Sequence, residues 1–194
     1  MPRGITVLVD MDDTIEDLLS AWVQCLNKRY GLSVNPSDIT DWDITLSFPS
    51  LSKEEVWHPL YEDEFWETVK PKQDAAKYLL KLQELGFNVY LCTATNHYTV
   101  KSKFENIVKR HFPFISWDQI IITPRKQLID ADILIDDGVH NLIGGKYKKI
   151  LMSAPHNLKY KAEAMGMQRV DNWEEAYKAI TGIAFNLNHG RRKK

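Results

Sequence analysis

Three aspartates occupy four consecutive positions at Asp10-Met11-Asp12-Asp13, directly behind the apolar run Ile5-Thr6-Val7-Leu8-Val9. Carboxylates this close repel, and at ~4 Å with an effective dielectric near 20 each pair costs on the order of 4 kcal/mol. Either a cation holds them together or one of them keeps a proton. A divalent metal combined with a phosphate-transfer role meets both conditions. The plainer alternative is helix capping, which Asp13 or Thr14 could provide for the segment beginning at Ile15. Three further apolar runs also end in polar chemistry. Leu91-Cys92 leads into Thr93-Ala94-Thr95-Asn96, Ile120-Ile121-Ile122 into Thr123-Pro124-Arg125-Lys126, and Ile133-Leu134-Ile135 into Asp136-Asp137-Gly138. Together they hold a carboxylate nucleophile, an acid/base, hard oxygens for a metal, and hydroxyl, N–H and ammonium donors for phosphate oxygens. Singly, Thr93 or Thr95 could cap the next helix, Lys126 could be a surface lysine, and Asp136-Asp137 could form a turn. Their joint occurrence at four strand ends favours the chemical reading.

Such groups meet only if the strands run parallel, because the carboxyl ends of a right-handed parallel sheet open onto one crevice. The first run is β-branched and almost uninterrupted, as expected of a strand buried on both faces. Behind it, Ile15, Leu18, Leu19, Trp22, Val23, Leu26 and Tyr30 recur at helical spacing, and Gly31 closes that helix. Between Ser33 and Lys70 the character changes. Pro36, Pro49 and Pro59 cut the chain into short pieces, and acidic residues mix with Trp42, Phe48, Trp57, Tyr61, Phe65 and Trp66. Ser52 and Glu55 form a capping-box pattern for a short helix that Pro59 must end. This stretch and the helix before it read as a small helical cap.

Regular alternation resumes at Asp74. A helix over 75–85 is closed by Gly86, and a strand over 87–92 precedes a helix over 98–111. Strands follow at 119–122, 132–135 and 149–152, and a closing helix carries Trp173, Ala176, Tyr177 and Ile180. The class is α/β, a parallel sheet with helices on both faces. Residues 1–14 and 74–185 make the core, 15–73 the cap inserted after the first strand, and 186–194 a basic tail expected to be flexible.

Composition narrows the partners. Of 194 residues, 44% are hydrophobic and 26% charged, the balance of an ordinary globular chain large enough for a sizeable core. A net charge of −1 gives no global field for nucleic acid or membrane. No apolar stretch approaches the ~20 residues needed to span a bilayer. Two cysteines, Cys25 and Cys92, make no disulfide framework, so the expected compartment is the reducing cytoplasm. The implied partner is a small phosphorylated metabolite, and the sequence is silent on oligomeric state.

Asp-x-Asp-x-Thr after the first strand, Thr after a second, a Lys ahead of a third and Asp-Asp closing it resemble the haloacid dehalogenase (HAD) superfamily of phosphatases. Val7-Leu8-Val9-Asp10-Met11-Asp12, Leu91-Cys92-Thr93, Ala131-Asp132-Ile133-Leu134-Ile135-Asp136-Asp137 and the pair Phe65-Trp66 before Pro71 are similar to segments of the 5′(3′)-deoxyribonucleotidases. The resemblance implies a Rossmann-like HAD core carrying a small helical cap, and hydrolysis of a nucleoside monophosphate. It implies Asp10 as nucleophile and Asp12 as acid, then base. Mg²⁺ would be held by Asp10, the carbonyl of Asp12, and Asp137, with Asp136 behind them. Thr93, the N–H of Ala94, and Lys126 would bind phosphate, and Phe65 and Trp66 are expected to face the substrate. Two positions depart from that family's pattern: Ala94-Thr95 stands where Ser-Pro is usual, and Gly138 where an arginine is frequent.

Three rivals remain open at this level. A receiver-type signalling domain needs its acceptor aspartate on a middle strand, and Asp41 and Asp43 have no buried strand before them. A phosphatase of the same fold could act on sugar phosphates or other phosphorylated metabolites. A binding protein could keep the metal site without turnover. His97, His140 and His156 lie near strand ends, and the sequence suggests solvated or structural roles for them.

Overall fold

The apolar runs assemble into one six-stranded sheet in a computed structural model that describes residues 4–191. The strands are β1 (Thr6–Val9), β2 (Asn88–Thr93), β3 (Ile120–Ile122), β4 (Ile133–Asp136), β5 (Lys148–Met152) and β6 (Met167–Val170). Their order is β3-β2-β1-β4-β5-β6, and every neighbouring pair is parallel. The chain therefore winds one way from β1 through β2 to β3 and the other way from β4 to β6. The reversal falls between β1 and β4, where an open sheet forms a ligand crevice. Val9 is level with Leu91 on one side and Ile135 on the other, so three strand ends reach that crevice together.

The central strands lack polar alternation because both faces are covered. Val7, Leu8, Val9, Ile133, Leu134 and Ile135 are wholly buried. Val7, Val9, Leu91, Ile133 and Ile135 pack with helices α4 (Ala75–Glu84) and α8 (Trp173–Arg191). Leu8, Cys92, Leu134 and Leu151 pack on the other face with α7 (Val139–Leu142) and the turns around Ala162. The two faces are unequal, one carrying long helices and the other short ones.

Helix α1 (Leu18–Tyr30) ends as its sequence indicates, with Gly31 at φ +65° and its N–H donating to the Asn27 carbonyl. It starts later than the apolar spacing suggests. Residues 15–17 instead run alongside 70–72, where Asp17 N–H donates to Lys70 O (2.8 Å) and Lys72 N–H to Ile15 O (2.8 Å). The segment between these two crossings forms α1, α2 (Lys53–Trp57), α3 (Asp63–Thr68) and several 3-10 turns. The Ser52–Glu55 capping box is present, and α2 stops two residues before Pro59.

Other differences from the sequence reading have local causes. Strand β6 escaped it because this edge strand is short, with Gln168 exposed and Arg169 half-buried between two buried ends. The helix read over 98–111 begins with α5 (Val100–Lys103), passes through a π-turn at Phe104–Val108 and ends in α6 (Lys109–His111). Helix α8 continues to Arg191, so residues 186–191 are helical rather than an irregular tail. The rest of the basic tail, Arg192 to Lys194, lies outside the described residues.

Candidate active site

The loop after β1 is wound tightly enough to aim several side chains at once. Asp10 N–H extends the ladder to Ile135 O (3.0 Å), and Met11 O accepts from Thr14 N–H (3.2 Å) and Ile15 N–H (2.9 Å). The winding requires Asp13 to adopt φ +54°, a left-handed conformation that aspartate tolerates better than most residues. Asp13 Oδ1 accepts from Leu19 N–H (3.0 Å) at the start of α1. Capping is thus what Asp13 does, and Asp10 and Asp12 are left for the crevice.

Lys126 is not a surface lysine. It lies wholly buried on the turn after β3, its Nζ paired with Asp10 Oδ1 and with Asp136 Oδ2 (2.6 Å). Asp136 Oδ1 accepts from Gly138 N–H (2.8 Å) and Asn141 Nδ2 (3.0 Å). These contacts account for Gly138. A Cβ there would meet Asn141 Nδ2 at 2.9 Å and Asp136 Oδ1 at 3.0 Å, so a side chain would break the group that holds Asp136. Asp137 meets His156 Nε2 at 3.2 Å through Oδ2, and its backbone oxygen accepts from Asn157 Nδ2 (2.9 Å).

Carboxylate oxygens of Asp10, Asp136 and Asp137 lie within 4.8 Å of one another. Burial pushes the Asp10 carboxyl up to about 7, with Lys126 opposing and Asp136 and Asp12 adding to the rise. Burial and the neighbouring Asp10 and Asp136 raise Asp137 well above the ordinary range. Burial disfavours the Lys126 charge, but Asp10 and Asp136 outweigh it and keep that lysine protonated. Three buried carboxylates against one ammonium leave surplus negative charge. Asp136 engages both oxygens with the protein, whereas Asp10 and Asp137 engage one each through the contacts above. The donor set is all hard oxygen, and its charge excess suits a divalent cation such as Mg²⁺.

A second charged group sits beside the first and was not read from the sequence. Lys103, almost fully buried in α5, pairs with Asp12 Oδ1 and lies 3.7 Å from Glu16 Oε1. Burial works against the Asp12 charge, but Lys103 outweighs it and holds that carboxyl below its usual range. Burial raises Glu16 well above its usual range. A signal for Lys103 was available: it shares an apolar stripe with Val100, Phe104 and Ile107, where a solvated lysine does not belong. The π-turn that follows is a distortion frequent at functional sites.

Thr93 is buried at the end of β2, and its Oγ1 has no hydrogen-bond partner within the chain. It does not cap the next helix, since Asn96 Oδ1 takes Tyr98 N–H (2.9 Å) and Thr99 N–H (3.1 Å). A buried hydroxyl without a partner is costly unless a ligand supplies one. Ala94 follows on the exposed rim.

Between these groups and the cap lies a cavity of about 180 Å³, bounded by Asp12 and Asp137 below and by Trp22, Trp42 and Trp57 above. Here one expectation is corrected. Phe65 and Trp66 do not face the cavity: they are 4% and 2% exposed and pack edge-on against each other. Trp66 Nε1 donates to Leu60 O (2.9 Å), and its ring lies 5.2 Å from Lys103 Nζ. A cap this small needs large side chains for its own core, and these two rings provide it. Asp41 and Asp43 serve local turns, Asp43 Oδ1 accepting from Thr45 N–H (3.1 Å) and Oγ1 (2.6 Å).

Solved structures share the fold. A HAD family hydrolase from Deinococcus radiodurans, with bound phosphate and sodium, matches with a TM-score of 0.65 at 14% identity, over 93% of this chain and 96% of that one. A haloacid dehalogenase-like hydrolase from Streptococcus pneumoniae matches with 0.62 at 15% identity, over 93% and 100%. The fold is the one that these HAD hydrolases share. By sequence, the profile described as 5′ nucleotidase, deoxy (pyrimidine), cytosolic type C matches residues 3–185. The 5′(3′)-deoxyribonucleotidase of Clostridium acetobutylicum is 36% identical over 171 residues, covering 88% of this chain and 92% of that protein. That of Bacillus subtilis is 36% identical over 172 residues, covering 87% and 94%. The chain belongs to the 5′(3′)-deoxyribonucleotidase family.

Proposed function

We propose that this phosphatase hydrolyses deoxyribonucleoside monophosphates in a magnesium-dependent reaction through an aspartyl phosphate on Asp10. The observation that carries the reading is the buried bridge of Lys126 between Asp10 and Asp136. It fixes one carboxylate at the crevice floor with an ammonium beside it, the pairing that phosphoryl transfer to an aspartate requires. Asp10 attacks the phosphorus in line, and its new P–O bond forms as the ester P–O bond breaks. The departing nucleoside oxygen takes a proton from Asp12, which is ionised beside Lys103 in the free chain and takes up that proton as the anionic phosphate binds next to it. Asp12, now ionised, accepts a proton from a water that attacks the same phosphorus, releasing inorganic phosphate and restoring Asp10. The Thr93 hydroxyl, the Ala94 N–H and Lys126 bind the phosphate oxygens. Asp10 and Asp137 carboxylates and the Asp12 carbonyl would hold Mg²⁺, which supplies positive charge against the phosphate.

The cavity supports a nucleoside over a sugar. Its upper wall offers three indole rings, Trp22, Trp42 and Trp57, which suit an aromatic base better than a ring of hydroxyls. The named nucleotidase relatives point the same way. For the metal, a HAD hydrolase of Bacillus subtilis with a TM-score of 0.57 to this chain is described as bound to magnesium. No helix among the described residues is long and apolar enough to cross a membrane, and Cys25 and Cys92 are both free. A cytoplasmic location accords with these features.

The deciding experiment measures phosphate release from deoxy- and ribonucleoside 5′- and 3′-monophosphates, sugar phosphates and an aryl phosphate, with Mg²⁺ and with chelator. The expected result is chelator-sensitive release that is fastest from deoxyribonucleotides. Turnover of sugar phosphates with none of nucleotides would overturn the substrate and leave the chemistry standing.

A further inference from the structure

One buried histidine stands outside the chemistry described so far, yet it touches both the metal carboxylates and the cap. His156 is 8% exposed on the turn after β5, and its Nε2 lies 3.2 Å from Asp137 Oδ2 and 3.4 Å from the Asp137 backbone oxygen. Its neighbour Asn157 is locked from four directions. Asn157 Nδ2 donates to Asp137 O (2.9 Å) and Met152 O (2.8 Å), while its Oδ1 accepts from Ala154 N–H (3.2 Å) and Arg169 Nη1 (2.8 Å). That staple fixes the backbone on which His156 stands, so the imidazole is held rigidly against Asp137.

The other side of the same ring meets the cap. Trp42 lies edge-on to His156 at 5.0 Å and to His140 at 4.5 Å. Lys159, three residues beyond His156, donates to Thr40 O (3.2 Å) and sits 3.4 Å from Asp41 Oδ2. The loop carrying Trp42 is thus drawn down onto the core at the point where His156 holds Asp137. Trp42 and His156 together also form the partition between the substrate cavity and a second cavity of about 170 Å³ behind it. Trp42 itself is 56% exposed, so its seat depends on this contact more than on burial in the cap.

We propose that His156 is a positioning residue that orients the Asp137 carboxylate for the metal and transmits the seating of the cap, through Trp42, to that carboxylate. The proposal rests on the magnesium-dependent reading of the site. Its physical basis is that partners behind a metal ligand set the ligand's orientation and hence the affinity of the ion. With Trp42 down, the imidazole is confined between indole and carboxylate, and the Nε2–H donates to Asp137. With Trp42 lifted, that confinement is lost and the carboxylate gains freedom it must surrender when the ion binds.

The test measures binding of Mn²⁺, a spectroscopic substitute for Mg²⁺, by electron paramagnetic resonance on the full chain, alongside the Mg²⁺ concentration for half-maximal rate. His156→Phe keeps a ring beneath Trp42 and removes the donor, and His156→Gln keeps a donor and removes the ring. The Phe variant should weaken Mn²⁺ binding about tenfold and raise the Mg²⁺ requirement in parallel, with a smaller change in kcat at saturating Mg²⁺. The Gln variant should stay within about threefold of the native protein. Trp42→Ala should weaken Mn²⁺ binding about threefold in the native background and add nothing in the Phe variant, because the two contacts act through one carboxylate. Thermal melting of each variant separates loss of the ion from loss of the fold. Native Mn²⁺ affinity in His156→Phe would overturn the positioning role, and full additivity with Trp42→Ala would overturn the transmission. A native chain that binds no Mn²⁺ would instead overturn the magnesium reading itself, and this proposal with it.

Discussion

Around Asp10, three strand-end loops bring Asp10, Asp136 and Asp137 against a single buried ammonium, Lys126, with Asp12 and Lys103 alongside. Across the cavity the cap presents indole rings, and Asp41, which also lines the cavity, is paired with Lys159 at 3.4 Å. The floor is rigid because each of its charges is costly to expose or to leave unpaired. The roof is adjustable because apolar contact is non-directional and tolerates displacement. On the proposed reading, chemistry falls to the sheet and choice of substrate to the insertion.

The strongest way to break that division is at the floor. Asp10→Asn should lower kcat by on the order of 10⁴-fold or more for every substrate, measured as phosphate release, while the fold persists. Residual turnover near native levels would exclude the covalent route. Lys126→Met leaves Asp10 and Asp136 facing each other without their cation. It should cost about 3–5 kcal/mol of stability in denaturant melts, beyond any loss of rate. Lys103→Met removes the cation that holds Asp12 ionised, so the pH–rate profile should move to higher pH and kcat should fall by about 10²-fold.

Substitutions in the roof should act differently. Trp57→Ala should raise KM for nucleotides by about 5- to 100-fold, the worth of one stacked base, and should change aryl phosphate hydrolysis much less. Phe65→Ala should cost about 3–5 kcal/mol of stability, with no change in the preference between substrates, because that ring packs inside the cap. Equal KM effects from the two variants would erase the distinction between cavity wall and cap core.

The smallest effect concerns pH. In the metal-free chain Asp10 and Asp13 are raised to about 7, and Asp137 and Glu16 are raised as well. These groups bind protons more tightly in the folded state than in the unfolded one. Their contribution is fully present below their unfolded values near 4 and is lost as pH rises through the folded values, about 7 for Asp10 and Asp13. Asp12 and the histidines His111, His140 and His156, all lowered, work in the opposite sense and reduce the fall. The melting temperature without metal should therefore fall between pH 5 and pH 8 by a few degrees, and Mg²⁺ should restore most of it at pH 8. A melting temperature that rises across this window without metal would contradict the raised carboxyls.

Legibility from sequence divided along the same line. Asp10, Thr93, Lys126 and Asp136-Asp137 were visible because each terminates, or closely succeeds, an apolar run, and a parallel sheet brings such termini to one edge. Gly31 and the Ser52–Glu55 box were visible because caps are local. Strand β6 was missed for want of a continuous apolar signal. Lys103 was legible only through its place in the apolar stripe of Val100, Phe104 and Ile107, and Glu16 only through packing, since it lies before α1 on the segment that runs alongside residues 70–72. Phe65 and Trp66 were placed at the substrate because adjacent aromatics suit both a binding wall and a core. The sequence suggests a solvated or structural role for His156 and holds nothing to link it with Trp42, more than 100 residues away.

The sequence alone pointed to phosphoryl chemistry, because the residues at the carboxyl end of a strand are fixed by the chain, and it left turnover, signalling and simple binding as alternatives. It also indicated that the proline-broken acidic and aromatic stretch leaves the sheet, and that stretch folds as short helices and turns between β1 and α4. Only the tertiary structure decided which charges face one another and which aromatics remain outside the core. Those outcomes depend on long-range packing, where a single helical turn or a single π-turn decides whether a lysine meets water or an aspartate.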